Sequence, residues 1–173
     1  MKRIFLLLAV VGTAILSSCE GDQGPQGPAG TNVESEVFEL RNVDFTFDNA
    51  EGYIIRDVLD PQILLADNIL IYRMAGTIDS NTPIWQLIPR TLFLQDGNEV
   101  DYDYDFSRID FTIYAGGTFD LALTPEFIDN QTFRIVIIPG FLSNKGTKSV
   151  DTNDYNAVID YYGINDEKIK LLN

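Results

Sequence analysis

The sequence predicts an all-β fold, a single antiparallel β-sandwich of about 7–9 strands with one short C-terminal helix, preceded by a disordered Gly-X-Y tether. Three observations carry this. From residue 34 onward apolar and polar residues alternate over short runs; clusters of Asp, Asn and Gly interrupt those runs at short intervals; and a single stretch near the C-terminus repeats its apolar residues at helical spacing. Residues 34–173 form one domain, roughly 140 residues, large enough to bury one substantial core.

The elements before the domain are read first. Lys2 and Arg3 precede an apolar run from Ile4 to Ile15, closed by Leu16-Ser17-Ser18-Cys19. A basic start, an apolar run and a small-residue end make residues 1–18 an export signal that is removed. The run is shorter than the roughly 20 residues a membrane span needs, and no basic stop-transfer cluster follows it. From Gly21 glycine leads four successive triplets, ending in Gly30-Thr31-Asn32. That is collagen's period, but four repeats are too short to hold three chains together, so residues 19–33 are expected to act as an extended spacer stiffened by Pro25 and Pro28.

In the domain, Val37, Glu39 and Arg41 oppose Phe38 and Leu40; after a change of phase near Asn42, Val43, Phe45 and Phe47 oppose Asp44, Thr46 and Asp48. Strands are expected over Tyr53 to Val58, Ile69 to Met74, Ile84 to Pro89, Thr91 to Gln95, Val100 to Phe106, Ile109 to Tyr114, Thr118 to Leu123 and Phe133 to Ile138. Turns are expected at Asp79-Ser80-Asn81, Asp96-Gly97-Asn98, Gly116-Gly117 and Asp129-Asn130. Asp96-Gly97-Asn98 is the strongest hairpin signal, joining the strand of Phe93 to that of Tyr102. Phe133 to Ile138, apolar on both faces except at Arg134, reads as a central strand covered on both sides. Asp151 or Thr152 is placed to cap a helix from Asn153 to Tyr162, stopped by Gly163, with Tyr155 and Tyr162 facing inward and Tyr161 outward. A short turn from Pro125 to Asp129 follows Thr124, and Lys168 to Leu172 is read as an edge strand.

The cysteine-ended leader, the run Glu20-Gly21-Asp22-Gln23-Gly24-Pro25-Gln26-Gly27-Pro28, and the segments Asp67 to Arg73, Ile84 to Pro89 and Phe133 to Pro139 together resemble the collagen-like small lipoproteins of Gram-negative bacteria. The resemblance implies that Cys19 is the acylated first residue of the mature chain, anchored in the cell envelope at the outer membrane, on its surface or periplasmic face. It implies no activity. Glu20 and Asp22, just behind the cysteine, resemble signals that carry such proteins to the outer face. An acylated Cys19 is neither a redox centre nor a metal ligand.

The chain has 12 basic and 26 acidic residues; removing Lys2 and Arg3 with the leader leaves 10 against 26, near −16. Such a charge disfavours nucleic acid and anionic headgroups. There is no histidine and no second cysteine, so His-based triads, thiolate nucleophiles and zinc sites cannot be built, and no phosphate or dinucleotide loop is present. No catalytic residue, no cofactor and no firm metal ligand is therefore assigned. Asp101, Asp103 and Asp105 share one face of a strand, and with Asp96, Asn98 and Glu99 they are weak calcium candidates; a solvated acidic face is the plainer expectation. An EF-hand is excluded because Phe106 and Thr112 stand where it needs glycine and glutamate. Trp85 is expected to pack in the core, its alternative being an anchor for a sugar or protein; Arg73 and Arg134 are expected to pair with carboxylates. Tyr102, Tyr104, Tyr114, Tyr155, Tyr161 and Tyr162 would make an interaction surface if exposed together.

The functional expectation is a membrane-anchored, non-enzymatic binding module with a protein or glycan partner. Its alternatives are a passive structural component of the envelope and a carboxylate-based glycan hydrolase. An aromatic cluster beside polar loops favours the first, a patch-free surface the second, and a cleft with two facing acids the third.

Overall fold

Two five-stranded sheets face each other in the computed structural model, which describes residues 36–140, 150–167 and 169–172. The strands are β1 (Val37–Val43), β2 (Thr46–Asp48), β3 (Gly52–Val58), β4 (Asn68–Asp79), β5 (Thr82–Leu87), β6 (Arg90–Phe93), β7 (Glu99–Phe106), β8 (Asp110–Gly117), β9 (Gln131–Ile138) and β10 (Lys170–Leu172). The first sheet runs β10-β1-β9-β4-β5 and the second β2-β3-β8-β7-β6. One helix, α1 (Tyr155–Tyr162), packs on the outer face of the first sheet. The leader, Cys19 and the Gly-X-Y spacer lie outside the described residues.

β9 explains the architecture. It is the middle strand of its sheet, and every residue except Arg134 is buried. Phe133, Ile135 and Ile137 point between the sheets, where they meet Phe38, Leu40, Ile69, Ile71, Phe111 and Ile113. Val136 and Ile138 point outward into a second core with Val37, Tyr72, Tyr155, Val158 and Ile159. Period-two alternation with both faces covered yields a continuous apolar run. Each such side chain contributes about 1.5–3 kcal/mol by leaving water.

The phase change at Asn42 is a bulge: register slips between Leu40 and Val43 opposite β9, and Asn42 takes a positive φ of 51°. Past it the chain crosses to the second sheet, with Phe45 buried against Phe133 and Tyr102 and Phe47 left outside against Tyr53. The Asp96-Gly97-Asn98 hairpin joins β6 to β7 as expected, with Phe93 opposite Glu99 and Gly97 at φ 84°.

Four expectations are corrected. The Gly116-Gly117 pair is no turn but the end of β8, opposite Asp101 and Val100, where an added Cβ on Gly116 would come within 2.8 Å of the Asp101 carboxylate. Thr118 to Leu123 is no strand: Asp120 accepts a hydrogen bond from Ala122 N and starts a 3-10 turn over Leu121–Leu123. α1 is capped by Asp154, whose side chain accepts from Ala157 N, while Asp151 caps the turn before it. Gly163, left-handed at φ 66°, ends the helix as expected. Finally, the sandwich is not wholly antiparallel, because β10 runs parallel to β1: the chain crosses over through α1 before pairing with that free edge.

Candidate functional site

The outer face of the first sheet carries a polar network beside the second core, and the register of β1 against β9 creates it. Glu39 stands directly opposite Arg134. Glu39 is buried, at 3% exposure, and a buried carboxylate is tolerated only when paired. Arg134 Nε donates to Glu39 Oε2 at 2.7 Å, and Arg41 Nε donates to the other oxygen. On its far side, Arg134 Nη1 donates to the Tyr155 hydroxyl at 2.7 Å and lies 3.4 Å from Asp166, which also accepts from Tyr155 at 2.9 Å. The Arg134 guanidinium lies 4.4 Å from the centre of the Trp85 ring and 5.1 Å from that of Tyr155. Sheet, helix and the segment after the helix thus all hold the arginine.

Beside this network, where α1 leaves the sheet uncovered, a groove of about 340 Å³ opens along β1, β9, β4 and β5. It is lined by Glu39 and Arg41 of β1 with Asn42 of its bulge, Thr132 and Arg134 of β9, Met74 of β4, Pro83 and half-buried Trp85 of β5, and Ser80 and Asn81 of the β4–β5 turn. Trp85 therefore does two things. It packs against the second core, as expected, and it gives the groove its aromatic surface. A second cleft of about 480 Å³ is lined by Leu40, Val43, Ile54, Arg56 and two carboxylates, Asp44 and Asp57; Arg56 is engaged by Glu51 and Thr112, and the two carboxylates accept from the backbone N–H groups of Asn130 and Val58.

The electrostatics suit holding a ligand. Glu39 is the single carboxylate among the lining residues and is engaged as an acceptor by two arginines. Burial raises the Tyr155 phenol well above its ordinary value, against the opposing pull of Arg134, so it remains a neutral donor at neutral pH. Arg41 is the exposed cation, its side chain 57% accessible. A flat aromatic edge, a cation, and Thr, Ser and Asn hydroxyl and amide groups together match a polar ligand with at least one apolar face, such as a sugar ring or a peptide side chain.

The other expected site residues are placed differently. Asp101, Asp103 and Asp105 do share the exposed face of β7, with Tyr102 buried and Tyr104 half-buried behind them. They do not converge. Asp105 accepts from the Tyr114 hydroxyl at 2.8 Å and Asp103 from the backbone of Tyr104, while Asp96 is folded onto Asn98, which holds its carboxyl below the usual range. Among the described residues no group of three His, Cys, Asp or Glu is arranged to hold a metal.

Arg134 pairs with carboxylates as expected, but Arg73 does not: its Nε donates to Gln131 Oε1 at 2.8 Å and its guanidinium lies 4.5 Å from the centre of the Tyr102 ring. Gln131 is in turn fixed through its amide by Glu126 and Asp129 carbonyls, so a neutral partner and an aromatic face replace the expected ion pair, and burial lowers the Arg73 pKa. The tyrosines do not form one surface either. Tyr102 and Tyr155 are buried, and the Tyr104 hydroxyl donates inward to Ile69 O. Tyr162 is half-buried against the second core, and Tyr161, also half-buried, stacks edge-on against it.

Sequence inspection singles out Trp85 and Arg134 but misses Glu39, Arg41 and Asp166. Glu39 looks like one polar residue in an alternating strand, and only the β1–β9 register reveals its partner. Comparison with known proteins yields no relative: no family model, no curated protein and no solved structure matches this chain.

Proposed function

We propose that this chain is a lipid-anchored envelope protein, held at the bacterial outer membrane through acylated Cys19, whose β-sandwich is a non-enzymatic binding module that takes a glycan or protein partner in the groove beside Trp85. The observation that carries the binding part is the groove itself: an aromatic side chain and an exposed arginine lining it together with the paired Glu39 and Arg134. A passive envelope component has no need of a concave site in which cation, aromatic ring and polar turn converge. A carboxylate hydrolase needs two acids across a cleft; this groove has one, and in the second cleft Asp44 and Asp57 are each engaged by a backbone N–H. The anchoring part rests on the leader and on the resemblance to collagen-like lipoproteins, and the acidic composition argues against nucleic acid as the partner.

Crosslinking in intact cells that express the acylated protein, combined with protease shaving, tests this. The expected result is a captured glycan or protein that is lost in Arg41→Ala, a substitution at an exposed side chain that leaves Glu39 paired with Arg134. Equal capture by both proteins, or none by either, would remove the groove from the account.

A further inference from the structure

At one end of the sandwich five large apolar side chains face water on two segments that are tied together. Leu65 is 87% exposed, Val58 64%, Ile109 59%, Leu64 47% and Phe106 38%. The β3–β4 connection is bonded to the β7–β8 turn through Leu59 N to Ile109 O (2.7 Å), Ile63 N to Arg108 O (2.9 Å) and Arg108 Nε to Ile63 O (3.1 Å). The tip is built. Asp67, 8% exposed, accepts from Leu64 N at 2.8 Å through one oxygen and from Gly140 N at 3.1 Å through the other, and its own N–H donates to Leu64 O. A buried carboxylate thus fixes a turn whose outermost residue is a leucine. Exposed Phe93, at 78%, is at the opposite end of the second sheet, since it pairs with Glu99 at the start of β7 while Phe106 ends that strand.

The same end receives the chain from the tether. Glu36 O accepts from Ile137 N at 3.0 Å, and Ile138 pairs with Asn68, the residue after Asp67. We propose that this Leu64–Leu65 end is a bilayer-docking surface, dipping into the headgroup boundary of the membrane that holds Cys19. The proposal rests on Cys19 being acylated. Residues 20–35 would then span about 50 Å fully extended, or about 22 Å as a flexible coil, which keeps the domain at an effective concentration in the millimolar range above the lipid. At such proximity a small apolar patch is enough to bias orientation, because exposed apolar side chains leave water on entering the acyl boundary. Charge selects the lipid: among the described residues Asp57, Asp60, Asp105 and Asp110 flank the patch residues along the chain, with Arg108 the cation of the β7–β8 turn, so the fit is to zwitterionic headgroups and contact is not weakened by added salt. Docked this way, the domain stands with the β4–β5 turn, and the mouth of the groove beside it, turned away from the lipid.

The test uses the full acylated chain on phosphatidylcholine vesicles. Acylation leaves Leu65→Cys as the single free thiol, labelled with an environment-sensitive fluorophore; Phe93→Cys at the other end is the reference. Flotation reports the anchor and probe quenching reports docking. The expected result is a Leu65→Cys probe protected from aqueous iodide and quenched by shallow spin-labelled lipid, about 5–10 Å below the surface, unchanged by salt, with the Phe93→Cys probe open to iodide. A chain that floats with both probes equally open to iodide overturns docking and leaves the anchor standing. A Leu65→Cys probe shielded only when envelope proteins are added assigns the patch to a protein partner and overturns docking too. A chain that does not float and carries a free Cys19 thiol removes the anchor, and the docking proposal falls with it.

Discussion

In the first sheet β9 buries both of its faces, one against the second sheet and the other against α1, whereas β7 in the second sheet buries one face and turns Asp101, Asp103 and Asp105 to water. The two strands are eight residues each and share one core between them. Their outer faces differ because, among the described residues, a helix covers the first sheet and none covers the second, and covering it forces every polar group there to find a partner. Glu39, Arg134, Tyr155 and Asp166 are linked in that way, and among the described residues no buried side-chain polar atom is left unpartnered. The uncovered sheet makes no such demand. The groove lies at the border, where the covered face gives out.

The sharpest way to break this comparison is in the shared core. Phe133→Ala, at a fully buried position of β9, is expected to destabilise by about 3–5 kcal/mol in urea unfolding, and a loss below about 1 kcal/mol would contradict the packing described. Next comes the outer face of the same sheet. Glu39→Ala leaves Arg134 buried beside a lost partner, and a loss of about 3 kcal/mol is expected by the same measurement.

Much of this contrast is legible in the chain. The run of Phe133 to Ile138, apolar on both faces apart from Arg134, announces a strand covered on both sides, and the Asp-Tyr alternation of β7 announces one covered on a single side. Asp96-Gly97-Asn98 fixes its hairpin because Gly97 must take a positive φ, and Gly163 ends α1 for the same reason. Gly116-Gly117 misleads because glycine also serves where backbone and side chain approach closely, here Asp101 and Leu121. The groove is not legible. It depends on the register that sets Glu39 against Arg134, and on where an eight-residue helix stops covering a sheet; both are tertiary facts with no local signature.

Alkaline titration sharpens the same contrast. Burial raises the pKa of Tyr72 and Tyr155 in the second core, and of Tyr102 and Tyr104 between the sheets. Raised folded values mean that the native state retains protons the unfolded chain has released. Their contribution is complete below the unfolded value of about 10 and is lost as pH rises beyond it. The melting temperature is expected to hold up to that pH and then fall, and Tyr155→Phe to fall less steeply. A flat profile above pH 10 would show that these phenols are not buried as described.

The smallest effect belongs to the wet face. Replacing Asp101, Asp103 and Asp105 together with asparagine is expected to change stability by no more than about 0.5 kcal/mol per site, and calcium should not shift the melting temperature of the parent. A calcium-dependent rise that disappears in the triple variant would restore the cation site.

Trp85 is the only tryptophan in the chain, and it lines the groove, so its emission is a reporter of that one place. Titrating the acylated protein with glycans and proteins released from the envelope, and following that emission, tests the binding account most directly. A saturable change that weakens in Arg41→Ala is the predicted result. Unchanged Trp85 emission with an envelope fraction that nonetheless crosslinks to the domain would place recognition elsewhere and contradict it.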